Sequence, residues 1–171
     1  MAILGNNTIL GLTTITSRGP FYYVQSTEAG NATSLSFYLR STGTATIRYV
    51  IYSDIAGAPG ALLAQSVDGS VNTTSQWITI PISYSFANGE TMFIGVKCTD
   101  YIEIAYDAGA TNQLAIIDAE FRSNYPTVDN PAVTFQQFDN TMSGYITYTP
   151  SALPASITGI ATLKGIQTLK F

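Results

Sequence analysis

Histidine is missing from the 171 residues, and cysteine occurs once, as Cys98. Without an imidazole the commonest general base and every His-ligated metal site drop out, and no Ser-His-Asp or Cys-His arrangement can be assembled. A lone cysteine closes no internal disulfide, so Cys98 reads as a small buried hydrophobe ending the apolar run from Met92. Charge is scarce as well: 11% of residues are charged, against about 25% in typical soluble domains. Seven basic and eleven acidic residues give a net charge of −4 with no basic cluster. Nucleic-acid binding is thereby disfavoured, because it needs several phosphate-neutralising cations on one face. No apolar run approaches the roughly 18 residues that span a bilayer, so membrane insertion is not expected. Met1-Ala2-Ile3-Leu4-Gly5 has neither a basic n-region nor an apolar h-region, and no signal peptide is expected either.

The acidic residues that remain offer little chemistry. Asp118 and Glu120 lie two apart on one strand face and Asp100 and Glu103 flank a turn, the only pairs that a carboxylate mechanism could draw on. Both read better as solvated strand edges or loop residues. Gly57 to Gly60 is no phosphate loop, since no Lys-Ser/Thr follows it and no helix begins there. Calcium is the one metal to weigh, because it takes oxygen ligands from loops; Asp107, Asp129 and Asp139 are placed in loops, but without D-x-D-x-D spacing. The expectation is a protein that is not an enzyme, with no cofactor and no metal site.

What the chain does contain is apolar, β-branched and aromatic: 46% hydrophobic residues, with eleven Tyr, eight Phe and a single Trp. With so few charges, the surface must be Ser, Thr, Asn and Gln. The organising stretch runs from Thr46 to Pro81. From Ile47 to Tyr52 every residue but Arg48 suits a strand packed on at least one face. It stops at Ser53-Asp54, and Gly57, Pro59 and Gly60 then turn the chain, with Gly60 expected at positive φ. Leu62 and Leu63 re-enter a core. Trp77-Ile78-Thr79-Ile80 is the next strand, with Trp77 expected in the core.

Elsewhere Asn7 to Thr16 reads as one strand and Phe21 to Val24 as another. Leu35, Phe37 and Leu39 alternate with Ser34, Ser36, Tyr38 and Arg40, the pattern of a strand with one wet face. Asn88-Gly89 signals a hairpin that pairs Thr91 to Cys98 back on Ile82 to Phe86. Ile102 to Tyr106, Leu114 to Phe121 and Tyr145 to Tyr148 bring the count to about ten strands with no convincing amphipathic helix. Short strands punctuated by Gly, Pro and Asn predict an all-β, antiparallel sandwich of jelly-roll type over residues 1–149.

The succession G-N-A-T-S-L-S-F-Y-L, I-R-Y-V-I-Y-S-D-I-A-G-A-P-G-A-L-L-A-Q-S, Q-W-I-T-I-P-I and A-N-G-E-T-M-F-I-G-V resembles a widespread jelly-roll module. That module occurs in bacterial and archaeal surface proteins and in tailed-phage virion proteins. The resemblance covers roughly Thr8 to Tyr148, and its most specific part is Ile51-Tyr52-Ser53-Asp54 through Gly57, Pro59, Gly60 and Leu62-Leu63. It implies a non-catalytic sandwich used for display, adhesion, or capsid and tail decoration, and it carries over no catalytic residue.

Residues 150–171 read as an extended carboxy-terminal arm. Pro150 and Pro154 set it off, and G-I-A-T-L-K at Gly159 is repeated as G-I-Q-T-L-K at Gly165. An even, six-residue period puts both copies on the same faces of an extended chain. One face carries Ile157, Ala161, Leu163, Leu169 and Phe171, an apolar strip suited to docking on a neighbouring subunit by strand addition, or alternatively on its own sandwich.

Two functional readings follow. The first is a virion structural protein, a capsid or tail decoration or assembly subunit, located in the virion and partnered by subunits of the same assembly. The second is a carbohydrate-binding or adhesin module, extracellular or at a cell surface, stacking a glycan on exposed tyrosines. Its candidates are Tyr22, Tyr23, Tyr101, Tyr106 and Tyr125, placed at strand ends or loops. Three N-x-S/T sequons, at Asn6, Asn31 and Asn72, matter only in a glycosylating host.

Overall fold

Strand β5 (Ala45–Asp54) has apolar residues at consecutive positions because both of its faces are covered. Ile47, Tyr49 and Ile51 point into the main core, while Val50 and Tyr52 join Phe21 and Phe93 in a second apolar cluster on the opposite face. The structure is a computed structural model that describes residues 1–10, 13–17, 20–108, 114–117 and 135–151, with backbone alone for 13–17, 114–117 and 135–138.

The described residues form strands and connections only. Before β5 come β1 (Ala2–Asn6), β2 (Thr13–Ser17), β3 (Pro20–Gln25) and β4 (Gly30–Ser41). After it come β6 (Pro59–Gln65), β7 (Gly69–Val71), β8 (Gln76–Phe86), β9 (Thr91–Cys98) and β10 (Ile102–Ala108). The last are β11 (Leu114–Ile117), β12 (Phe135–Phe138), β13 (Asn140–Met142) and β14 (Gly144–Pro150).

Two antiparallel sheets pack face to face. One carries the order β2-β10-β4-β8 and the other β3-β9-β5-β6, so the chain crosses between sheets at each step from β2 to β5 and from β8 to β10, while β5 and β6 are neighbours in one sheet. This is the double Greek key of a jelly roll. The first sheet is widened by β14, which runs beside β4 from Gly30 to Phe37, while β10 takes the same side of β4 from Leu39 to Ser41. β1 lies outside β14 and β2 outside β10. The second sheet is extended beyond β3 by β11 and β12.

The place where the first sheet divides is held by Ser143. Its backbone N–H donates to Ala105 and its carbonyl accepts from Tyr38, both at 3.0 Å. Its hydroxyl donates to the Thr8 carbonyl at 2.8 Å and accepts from the Leu10 N–H at 2.9 Å. The single strand expected over Asn7 to Thr16 is therefore corrected: β1 already ends at Asn6, whose side chain accepts from the Thr8 N–H at 2.9 Å, residues 7–10 are a connection, and the chain restarts on another neighbour as β2 at Thr13.

Two further expectations are corrected. Asn88-Gly89 does turn the chain, with Gly89 at φ 78°, but β8 and β9 do not pair with each other. β8 pairs with β4, and β9 lies between β3 and β5, because each strand presents its apolar face to the core from a different sheet. In the β5–β6 turn, Ile55 and Ala58 exchange backbone hydrogen bonds, at 2.8 Å (Ile55 N–H to Ala58 carbonyl) and 3.2 Å. The positive φ values belong to Ala56 (56°) and Gly57 (84°), as in a type I′ turn, and Asp54 accepts from the Gly57 N–H at 2.7 Å. Gly60 is not at positive φ. It lies in β6, and a side chain there would come within 2.5 Å of Ile55 Cγ1 and 2.7 Å of Ser53 Oγ, so the requirement is close approach.

Candidate functional site

Period-two alternation decides which side chains face out from the first sheet. In β4, Leu35, Phe37 and Leu39 enter the core, so Ser36, Tyr38 and Arg40 point outward; in β8, Ile80 and Ile82 enter it, so Trp77 and Thr79 point outward. In β14, Ile146 and Tyr148 enter it and Tyr145 points outward. β8, β4 and β14 are adjacent, which brings the three aromatic residues together. Trp77 lies opposite Tyr38, and Tyr145 lies opposite Ser36, which in turn faces Thr79.

The result is a row of half-buried rings on an outer sheet face. The Tyr38 and Trp77 centroids are 5.6 Å apart at 63°, and those of Trp77 and Tyr145 are 5.1 Å apart at 57°. Trp77 is the middle member and leans across β4. Ser36 is 1% exposed although it is on the outer face, and its hydroxyl is satisfied by that of Thr79 at 2.7 Å. Beyond Tyr38 the row continues to Arg40, whose Nε donates to Glu103 of β10. These two charges neutralise each other beside the rings, while Thr79, Pro81 and Arg40 stay exposed. Trp77 was expected in the core; the alternation with Ile78 and Ile80 puts it on the face of Thr79 instead.

The tyrosines singled out from sequence do not gather at one place. Tyr22 lies in the core, 8% exposed, and its hydroxyl accepts from Thr141 at 2.9 Å. Tyr23 lies on the other face of β3, edge-on to Phe93 at 5.5 Å. Tyr22 and Tyr23 are mid-strand and Tyr106 is within β10, packed against the core, so only Tyr101 of the four is in a connection. The Tyr101 carbonyl accepts from the Ser41 hydroxyl at 2.8 Å. A cleft of about 290 Å³ runs between β1 and β3, lined by Leu4, Gly5 and Tyr22 to Gln25. It thus includes Tyr22 and Tyr23, which come from opposite faces of their strand. Tyr125 lies outside the described residues, as do Ile157, Ala161, Leu163, Leu169 and Phe171.

The described carboxylates have structural employment. Glu103 is paired with Arg40, and Asp68 with Arg48 at 2.7 Å. The Tyr84 hydroxyl donates to Glu90 at 2.5 Å and the Tyr148 hydroxyl to Glu28 at 2.9 Å. Burial first, and the neighbouring carboxylate second, push both phenols above their usual range. Glu90 also accepts from the Ala87 N–H at 2.7 Å and closes the β8–β9 connection. Asp107, expected in a loop, is an exposed residue of β10. Among the described residues no three His, Cys, Asp or Glu side chains are grouped to hold a metal ion. Asp118, Glu120 and Asp129 lie outside the described residues.

A scan against protein-family models gives no match to this chain, and a search of the curated proteins gives none either.

Proposed function

We propose that the protein is a non-enzymatic binding sandwich of the display or adhesion kind, and that the face built by β8, β4 and β14 holds carbohydrate. The observation that carries this is the row Tyr38, Trp77 and Tyr145, half-buried on an outer face with Ser36, Thr79, Arg40 and Glu103 around it. Sugar rings present apolar C–H faces and polar rims. Aromatic faces take the former, and hydroxyl, guanidinium and carboxylate groups bond to the latter. Aromatic anchors also dominate binding energies when they are truncated.

The test is retention on insoluble polysaccharides and binding to a glycan array. Trp77→Ala should weaken binding at least tenfold, with the β-sheet circular dichroism spectrum unchanged. Equal binding by the folded variant removes the face from the function.

The virion reading is a second one, and it is compatible with the first. β1 has β14 as its neighbour among the described residues, and Ile3 on that strand is 49% exposed. An edge strand of this kind accepts strand addition. If residues 156–171 dock there from another subunit, deleting them lowers the mass measured by light scattering and leaves a folded sandwich.

A further inference from the structure

We infer that the Tyr38–Trp77–Tyr145 face holds several consecutive units of a neutral, extended polysaccharide, and not a single terminal sugar. The inference rests on the carbohydrate reading above and specifies the ligand class.

Its first ground is extent. The rings pack against one another, with centroids 5.6 and 5.1 Å apart, into one continuous aromatic patch contributed by three strands. Such a patch is larger than the single ring that one terminal sugar would use. The second ground is shape. The row lies on the outer face of a sheet, and Arg40 with Glu103 continues it past Tyr38 along β4. A site for a chain end needs a wall to stop it, whereas an open row admits the middle of a chain. The concave feature between β1 and β3 is lined by other residues.

Charge narrows the class. Arg40 and Glu103 are bound to each other, so the row presents no net charge. The carboxylates of an acidic polysaccharide would be repelled by Glu103 beside the guanidinium, while a neutral chain can bond to both groups as they stand.

Trp77 is the single tryptophan of the chain, so its emission reports this face directly. The experiment titrates the protein with neutral β-linked glucose, xylose and N-acetylglucosamine oligomers, from the monosaccharide to the hexasaccharide, and with polygalacturonate. The expected result is a Trp77 emission change whose dissociation constant falls about tenfold per added unit until three or four units are bound, and then levels. Tyr145→Ala, checked for folding by its urea midpoint, should make the levelling occur one unit earlier. If the monosaccharide binds as tightly as the hexasaccharide, or polygalacturonate binds better than any neutral oligomer, the extended-chain inference is wrong and the carbohydrate reading stands. If no sugar of any length alters the emission and none retains the protein on a solid phase, the carbohydrate reading itself fails.

Discussion

Replacing Gly95 by alanine tests the packing of the second sheet at its centre. Gly95 lies in β9 between Phe21 of β3 and Val50 of β5. A Cβ at this position would meet the Phe21 ring, with Cε1 at 2.8 Å, and the Pro20 carbonyl oxygen at 2.7 Å. Phe21 is fully buried and stands edge-on to Tyr52, with centroids 5.2 Å apart. Overfilling such a site costs about 1–3 kcal/mol. Tilting Phe21 away from Tyr52 adds about 0.5–1.5 kcal/mol. The smaller unfolded-state entropy of alanine offsets about 0.4–1 kcal/mol. The net expectation is destabilisation by about 1–4 kcal/mol, or about 5–10 °C in Tm for the middle of that range. Urea unfolding followed by Trp77 emission gives the measurement. A double-mutant cycle with Phe21→Ala isolates the ring: in that background the added methyl should cost clearly less than in the wild type, the remainder coming from the Pro20 carbonyl oxygen, which the truncation leaves in place. A Gly95→Ala midpoint equal to wild type, or strictly additive changes in the cycle, would refute the claim that the glycine makes room for Phe21.

Three other outcomes are expected. Ser143→Ala removes the hydroxyl that joins the Thr8 carbonyl and the Leu10 N–H; stability should fall by about 1–3 kcal/mol, and hydrogen exchange at Leu10 should accelerate. Ala56, at φ 56°, occupies a region where asparagine is tolerated better, so Ala56→Asn should raise the unfolding free energy measured in urea by about 0.5–1 kcal/mol. Tyr49 is buried, its hydroxyl donates to the Ile78 carbonyl at 2.8 Å, and burial pushes its phenol well above the usual tyrosine range. The unfolded chain therefore loses this proton first: the contribution is fully present below about pH 10 and declines above it by about 1.4 kcal/mol per pH unit. Urea midpoints measured from neutral to alkaline pH should show that decline, and Tyr49→Phe should make it shallower.

Alternation and turn chemistry were enough to read the all-β class. Leu35, Phe37 and Leu39 against Ser34, Ser36 and Tyr38 already divide β4 into a dry and a wet face, and Gly57 and Gly89 do sit where the chain reverses. These are local properties: side chains alternate across any strand, and positive φ is a matter for single residues. The same alternation already held the place of Trp77, whose neighbours Ile78 and Ile80 occupy the opposite face. Pairing is not local. Nothing near Asn88 says that the strand after it joins another sheet, because that choice depends on which apolar faces meet across the core. Gly60 and Gly95 are required by side chains that lie apart from them in sequence or on other strands, Ile55 in one case and Phe21 in the other. The aromatic row is likewise tertiary: Tyr38, Trp77 and Tyr145 become neighbours because β8, β4 and β14 lie side by side in this register and the Trp77 ring leans across β4 to reach Tyr145.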